Sequence, residues 1–236
     1  SILDKADALR EKRRQAIAKL DELLQSVFLD MFGDPVTNPK GWELFKFKYL
    51  IEKGFHNGLS PSKKGTVPAK VLTLSAVTQS PFDEKNIKEA LFKSLPENKF
   101  VDKRDFLVCR GNGNLNLVGR GKFPKRSLTD TLFPDTMIAA RIDQNKIMPL
   151  FIELLWDNHF IRDQIERSAR TTNGTHKINQ KALESIMLPL PALEFQAKYS
   201  SIASKIKKQQ EGLIDSQVKL DVLFASLQQR AFKGEL

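Results

Sequence analysis

The two ends of this 236-residue chain are long proline-free runs in which apolar residues recur at alternating steps of four and three. Near the N-terminal end the series is Ile2, Ala6, Leu9, Arg13, Ala16, Leu20, Leu23 and Val27, closed by Gly33 and Pro35. Towards the other end it is Tyr199, Ile202, Ile206, Gln209, Leu213, Ser216, Leu220, Leu223, Leu227 and Arg230, stopping at Gly234. This spacing is the seam of a coiled coil, because it returns a side chain to one helix face every 3.5 residues on average. At about 1.5 Å per residue each helix reaches roughly 45 Å or more, and stripes this narrow need a partner. A chain that leaves along one helix and returns along another brings the two together antiparallel. The expected interface is Leu9, Leu20, Leu23 and Val27 against Ile202, Ile206, Leu213, Leu220, Leu223 and Leu227. The ends also match each other beyond shared periodicity: Leu20-Asp21-Glu22-Leu23-Leu24-Gln25-Ser26 aligns with Leu220-Asp221-Val222-Leu223-Phe224-Ala225-Ser226.

Between the runs the texture changes. Prolines and glycines recur, and short β-branched or aromatic stretches read as strands at Val71 to Val77, Phe106 to Arg110, Leu115 to Val118 and Met137 to Ile142. Pro149 opens an amphipathic helix that continues through Ile165, and Ile178 to Ile186 reads as a short helix. The expected fold is α+β: a globular head with a mixed, curved, mostly antiparallel sheet on an antiparallel two-helix coiled-coil stalk. Its expected divisions are a helix over 1–33, a domain over 34–194 and a helix over 195–236.

Lysine and arginine outnumber aspartate and glutamate, 38 to 28, giving a formal net charge of +10. Residues 1–33 are balanced and 195–236 carry +3, so the middle holds most of the excess at +7. A basic balance favours a polyanion as partner. An anionic membrane fits poorly, since no apolar run approaches the roughly 20 residues needed to span a bilayer.

Within the middle segment Lys99, Lys103, Arg104, Arg110, Arg120, Lys122, Lys125 and Arg126 surround the bend Gly111-Asn112-Gly113-Asn114. Ser60, Lys63 and Lys64 share a turn. Arg170 and Lys177 flank Thr171-Thr172-Asn173-Gly174-Thr175-His176. These three loops mix cations for phosphates with asparagine, arginine and hydroxyl groups able to bond base edges. The candidate DNA contacts are therefore Ser60, Lys63, Lys64, Arg110, Asn112, Asn114, Arg120, Lys122, Arg170, Thr172, Asn173, Thr175, His176 and Lys177. Ordinary solvated turns use the same residue types, so it is the three loops together that favour double-stranded DNA.

Chemistry of another kind finds no foothold in the sequence. Gly111, Gly113 and Gly119 lack the spacing of a nucleotide-binding glycine loop. His56, His159 and His176 lie far apart with no metal-ligand spacing, so neither metal nor cofactor is expected. Cys109, the single cysteine, lies in an apolar run and is expected to be buried and inert, which suits a reducing cytoplasm.

These residues resemble a known family, the specificity subunits of Type I restriction–modification systems. Leu20 to Pro35, followed by Asn38 to Trp42, is similar to that family's central conserved helix and the lead-in to a second recognition domain. Ile178 to Pro191 resembles the exit from that domain, and Leu220 to Leu236 looks like the distal conserved helix. Asp105 to Gly111 and Asn173 to His176 fall where the family has recurring loops. The resemblance implies a non-catalytic subunit that reads one half of a bipartite DNA site and docks methyltransferase (modification) and restriction subunits through its coiled coil. A full family member carries two recognition domains and this chain has one, so the resemblance also implies a half, or a short form that pairs as a homodimer. Two other readings stand beside it: the DNA-recognition part of a DNA adenine methyltransferase, and a coiled-coil adaptor.

Overall fold

The computed structural model describes residues 2–79, 81–172 and 174–233 of the chain. Among the candidate residues Asn173 lies outside the described residues, as does the Gly234 that was to end the last helix. The chain divides into two compact units, residues 1–40 with 197–236, and residues 41–196.

The first unit is a pair of helices. α1 (Ile2–Phe32) stops where the sequence places its stop: Gly33 takes φ +76°, and its N–H donates to the Leu29 carbonyl at 2.8 Å. A left-handed residue just past the last turn closes the helix in this way, and glycine does so without a steric penalty. α6 (Leu193–Phe232) supplies the other helix of the pair from residue 197 onward. The two run antiparallel: Arg10 donates to Asp221, Gln210 donates to Asp21, and Phe28 and Phe32 pack edge-on against Tyr199.

The seam differs from the expected one at alternate positions. On α1 the half-buried series is Leu3, Ala6, Arg10, Arg13, Ile17, Leu20, Leu24, Val27 and Met31. On α6 it begins with the buried Tyr199, Ala203 and Ile206 and continues through the half-buried Gln210, Leu213, Gln217, Leu220, Phe224, Leu227 and Ala231. Leu20, Val27, Ile206, Leu213, Leu220 and Leu227 lie in it, and Ile202 flanks it half-buried. Leu9, Leu23 and Leu223 do not: they are 56%, 46% and 53% exposed. Their neighbours Arg10, Leu24 and Phe224 take the seam instead. Arg10 is held there by Asp221 at 2.6 Å and by the Phe224 ring, whose centroid lies 4.3 Å from the guanidinium carbon.

Among the described residues the second unit distributes its strands over four small sheets rather than one curved sheet, and all but one of the strand pairings are antiparallel. In chain order the strands are β1 (Leu44–Lys46), β2 (Ile51–Asn57), β3 (Val67–Leu72), β4 (Ile87–Phe92), β5 (Phe100–Val101), β6 (Asp105–Cys109), β7 (Gly111–Asn112), β8 (Gly121–Lys122), β9 (Leu128–Leu132), β10 (Met137–Ile142), β11 (Arg170–Thr172), β12 (Thr175–Lys177) and β13 (Met187–Pro189). The largest sheets have the orders β2-β10-β6-β8 and β4-β3-β9-β5, and in the latter β3 and β9 are parallel. β6 is buried at every position, and Leu107 and Cys109 pack with Leu72, Val77, Phe133 and Met137 in one apolar core. Burial pushes the Cys109 thiol up to about 11, so it stays protonated.

Two local expectations change. Residues 71–77 hold the end of β3 and then a short helix, α2 (Ser75–Thr78), and Leu115–Leu117 is a 3-10 turn and not a strand. The helix beginning at Pro149 breaks after about two turns into α3 (Pro149–Trp156) and α4 (His159–Ser168). Asn158 makes the break by capping α4, its side chain accepting from the Phe160 N–H at 3.0 Å. α5 (Gln180–Ser185) forms inside the span read as a short helix, with Asn179 as its cap.

Candidate nucleic-acid interface

Two of the three loops singled out by charge are joined by backbone pairing. β11, β12 and β7 make a three-stranded sheet in which Arg170 stands opposite Lys177, Thr171 opposite His176 and Thr172 opposite Thr175. On the other side of β12, His176 pairs with Asn112 and Lys177 with Gly111. Side chains of register partners share a face. Thr171, His176 and Asn112 therefore form one row, and Arg170 and Lys177 belong to the opposite face. The row is hydrogen-bonded: Thr171 Oγ1 lies 3.0 Å from His176 Nδ1. Arg110, Gly111, Asp135, Thr136 and Lys177 line a small cleft of about 80 Å³ beside the sheet, into which Arg110 donates to the Asp135 carbonyl.

The asparagine bend folds on itself. Asn112 Oδ1 accepts the Asn114 N–H at 2.9 Å, and Asn114 Oδ1 accepts the Asn116 N–H at 3.0 Å. Consecutive turns of this kind shape the backbone first, and leave each amide nitrogen as the group free to meet a ligand. Behind the bend, α3 and α4 hold the chain from 116 to 119. Arg162 donates to the Val118 carbonyl at 2.8 Å and to the Asn116 carbonyl at 3.3 Å, and Trp156 donates to the Gly119 carbonyl at 2.7 Å. Gly119 itself takes φ +75° against Ile165, leaving no room for a side chain. Arg162 was not among the candidates. Its signal was present, since a cation between Ile161 and Ile165 on the apolar face of a helix has to find acceptors inside.

Several of the expected cations are not on offer. Lys122 is 5% exposed and its Nζ lies 3.1 Å from Asp157 and 3.7 Å from Glu153, because α3 covers β8 and brings both carboxylates over it. Lys122 is thus an internal ion pair and not a phosphate contact. Arg120 shares Asp157 at 3.0 Å and donates to the Asn116 carbonyl, so its charge is also answered within the fold. Of the surrounding basic cluster, Arg104 pairs with Asp102, Arg126 with Glu84, and Lys99 donates to the Asn57 carbonyl. Arg170, Lys177, Lys63 and Lys64 are exposed and form no ion pair among the described residues.

The third loop belongs elsewhere. Ser62, Lys63, Lys64 and Gly65 make a turn tied to β4, with the Ser62 N–H donating to Leu91 and the Gly65 N–H closing back on Ser62. Ser60, Lys63 and Lys64 therefore accompany the β4-β3-β9-β5 sheet and are not part of the β11-β12-β7 sheet. Among the described residues no group of three or more His, Cys, Asp or Glu is gathered as a metal site, and no helix is long and apolar enough to cross a membrane.

No family model matches the sequence. Individual relatives do. The chain is 30% identical over 257 aligned residues to the Type I restriction enzyme EcoKI specificity subunit of Escherichia coli K12, a match covering all of this chain and 54% of that protein. It is 31% identical over 159 residues to the StySPI specificity subunit of Salmonella potsdam, covering 64% of this chain and 34% of that one. The fold is shared with the crystal structure of the HsdS subunit from Thermoanaerobacter tengcongensis, at a TM-score of 0.61 and 16% identity, over all of this chain and 56% of the other. The chain thus spans about half the length of the first relative and of this solved structure. With its antiparallel helix pair and its α+β unit, it belongs to the family of Type I restriction enzyme specificity subunits.

Proposed function

We propose that this chain is the sequence-specific DNA-recognition part of a Type I restriction–modification complex, and that it catalyses nothing itself. Unit 41–196 is the target recognition domain and reads one half of a bipartite site. The observation that carries this is the β11-β12-β7 sheet, where two polar loops converge beside cations that no carboxylate neutralises among the described residues. Such cations draw phosphates, while uncharged polar side chains distinguish base edges.

The helix pair holds the methyltransferase and restriction subunits. Leu9, Leu23 and Leu223 support this, since the pair leaves all three uncovered on its surface. The relatives' greater length favours two recognition domains acting together, and a second copy of this chain would supply the other. No cofactor is bound by the chain, and the complex works in the cytoplasm.

The test is selection of bound duplexes from a random pool, using the chain alone and with its partner subunits, followed by titration at several salt concentrations. A defined half-site and an affinity that falls steeply with salt are expected. Equal binding to all sequences, or binding indifferent to salt, overturns the proposal.

A further inference from the structure

We infer that the hairpin of β11 and β12 is the base-reading element, entering the major groove with His176 towards the bases and with Thr171 positioning its ring. This rests on the DNA-recognition reading above and names the part of the surface that performs it.

Three observations meet here. The first is electrostatic. Arg170 and Lys177 are register partners, and like charges directly opposite each other across a strand pair are unfavourable. Both are exposed and neither has an ion pair among the described residues. A pair of this kind is relieved by an anion, and phosphate is the anion a duplex supplies on either side of its groove.

The second is shape. Among the described residues β7 meets β12 only at His176 and Lys177, so the Thr172–Thr175 pair lies beyond the third strand, where the hairpin is two-stranded. A two-stranded ribbon fits the major groove, about 12 Å wide. Between Arg170 and Lys177 the hairpin holds no lysine, arginine, aspartate or glutamate.

The third is the row itself. With Nδ1 engaged by the Thr171 hydroxyl, the ring of His176 is fixed and Nε2 is left as its outward polar atom. Asn112 shares the face, and with its Oδ1 committed to Asn114 its amide is left to donate. An amide donor beside a fixed imidazole edge suits base acceptors such as purine N7. Thr171 touches no base in this arrangement: it acts through His176.

The experiment repeats the duplex selection with His176→Ala, Thr171→Val, Thr171→Ser and the double variant His176→Ala/Thr171→Val. His176→Ala is expected to lower preference at one base-pair position by about tenfold, the scale of one good base contact. Thr171→Val removes the hydroxyl while keeping the shape, and should lose preference at that same position. Thr171→Ser should retain it, and the double variant should be no worse than His176→Ala alone. In parallel, Arg170→Gln and Lys177→Gln should each reduce the salt dependence by about one phosphate contact while leaving sequence preference intact. Altered preference at unrelated positions, or none with His176→Ala in a chain that still binds its half-site, overturns the inference and leaves the DNA-recognition reading standing. Failure of the unsubstituted chain to prefer any duplex overturns both.

Discussion

The buried guanidinium of Arg162 donates to the carbonyl of Val118 at 2.8 Å, joining α4 to the loop that carries Asn112 and Asn114. Arg162 is only 9% exposed, and it also reaches Asn116 and Glu166. Its charge sits in surroundings that disfavour it, burial being the main cause, so the arrangement is held by the acceptors around it.

Replacing Arg162 by methionine keeps the aliphatic stem and removes these bonds. The buried Val118 carbonyl then loses its donor, at about 1–3 kcal/mol, while the Asn116 carbonyl keeps Arg120. The expected result is a loss of about 1–3 kcal/mol in denaturant unfolding. Weaker sequence preference should accompany it under conditions where the variant is still folded, because the loop loses its brace. Unfolding curves and duplex selection on the same preparation check both parts.

Lys122 and Lys64 are both lysines in loops picked out by charge, and the structure separates them. Lys64 is exposed with no ion pair among the described residues, and Lys122 is enclosed by Asp157 and Glu153. Lys64→Gln should leave stability within about 0.5 kcal/mol. If the turn meets phosphate, it should lower the slope of log affinity against log salt by about one contact. Lys122→Met should leave the salt slope unchanged and cost about 3 kcal/mol of stability, the scale for breaking an enclosed ion pair. Salt titrations and urea melts of the two variants read these outcomes directly.

What the sequence displayed and what it concealed follows from how each signal is encoded. The helices were legible because their apolar period extends over many turns and ends at glycine. Their seam was half legible: Ile2, Leu9, Ala16 and Leu23 form one stripe, and Leu3, Ile17 and Leu24 form another one residue along. Only the partner helix decides between them, through Asp221 and Phe224 drawing Arg10 inward. The interface loops were recognisable by residue type, but neutralisation of Lys122 and Arg120 depends on Asp157, more than thirty residues away in sequence. Charge counted along a chain cannot see such pairings. The joining of the 111–112 and 170–177 segments was hidden for the same reason, since strands this short carry almost no alternation to read.

The corrected seam makes its own prediction. Leu20 lies between the helices and Leu23 faces outward, though both belong to the same apolar series. Leu20→Ala should lower the stability of the helix pair by about 1–3 kcal/mol, allowing for a site that is only half-buried. Leu23→Ala should change stability by no more than about 0.5 kcal/mol. If the outward leucines receive partner subunits, Leu23→Ala and Leu9→Ala should instead weaken assembly. Thermal melts together with co-purification of the methyltransferase subunit distinguish the two effects. Equal destabilisation by Leu20→Ala and Leu23→Ala would contradict the seam.

Acid should loosen the 41–196 unit through a defined group. The Arg104 guanidinium holds the Asp102 carboxyl well below the usual carboxylate range, with Arg141 adding to the effect at 2.8 Å and partial burial opposing it. A carboxylate whose folded-state value is depressed binds fewer protons in the folded chain than in the unfolded one. Stability therefore rises with pH between the two values. The contribution of Asp102 is fully present above the unfolded value, near pH 4, and is lost as the pH falls through the depressed folded value. Asp102→Asn removes that dependence. The difference in unfolding free energy between the unsubstituted chain and Asp102→Asn should be level from about pH 5 to 7 and shrink steadily below pH 4. Urea melts across that range measure it. A difference that grew on acidification would mean that Asp102 is not stabilised as an anion by its two arginines.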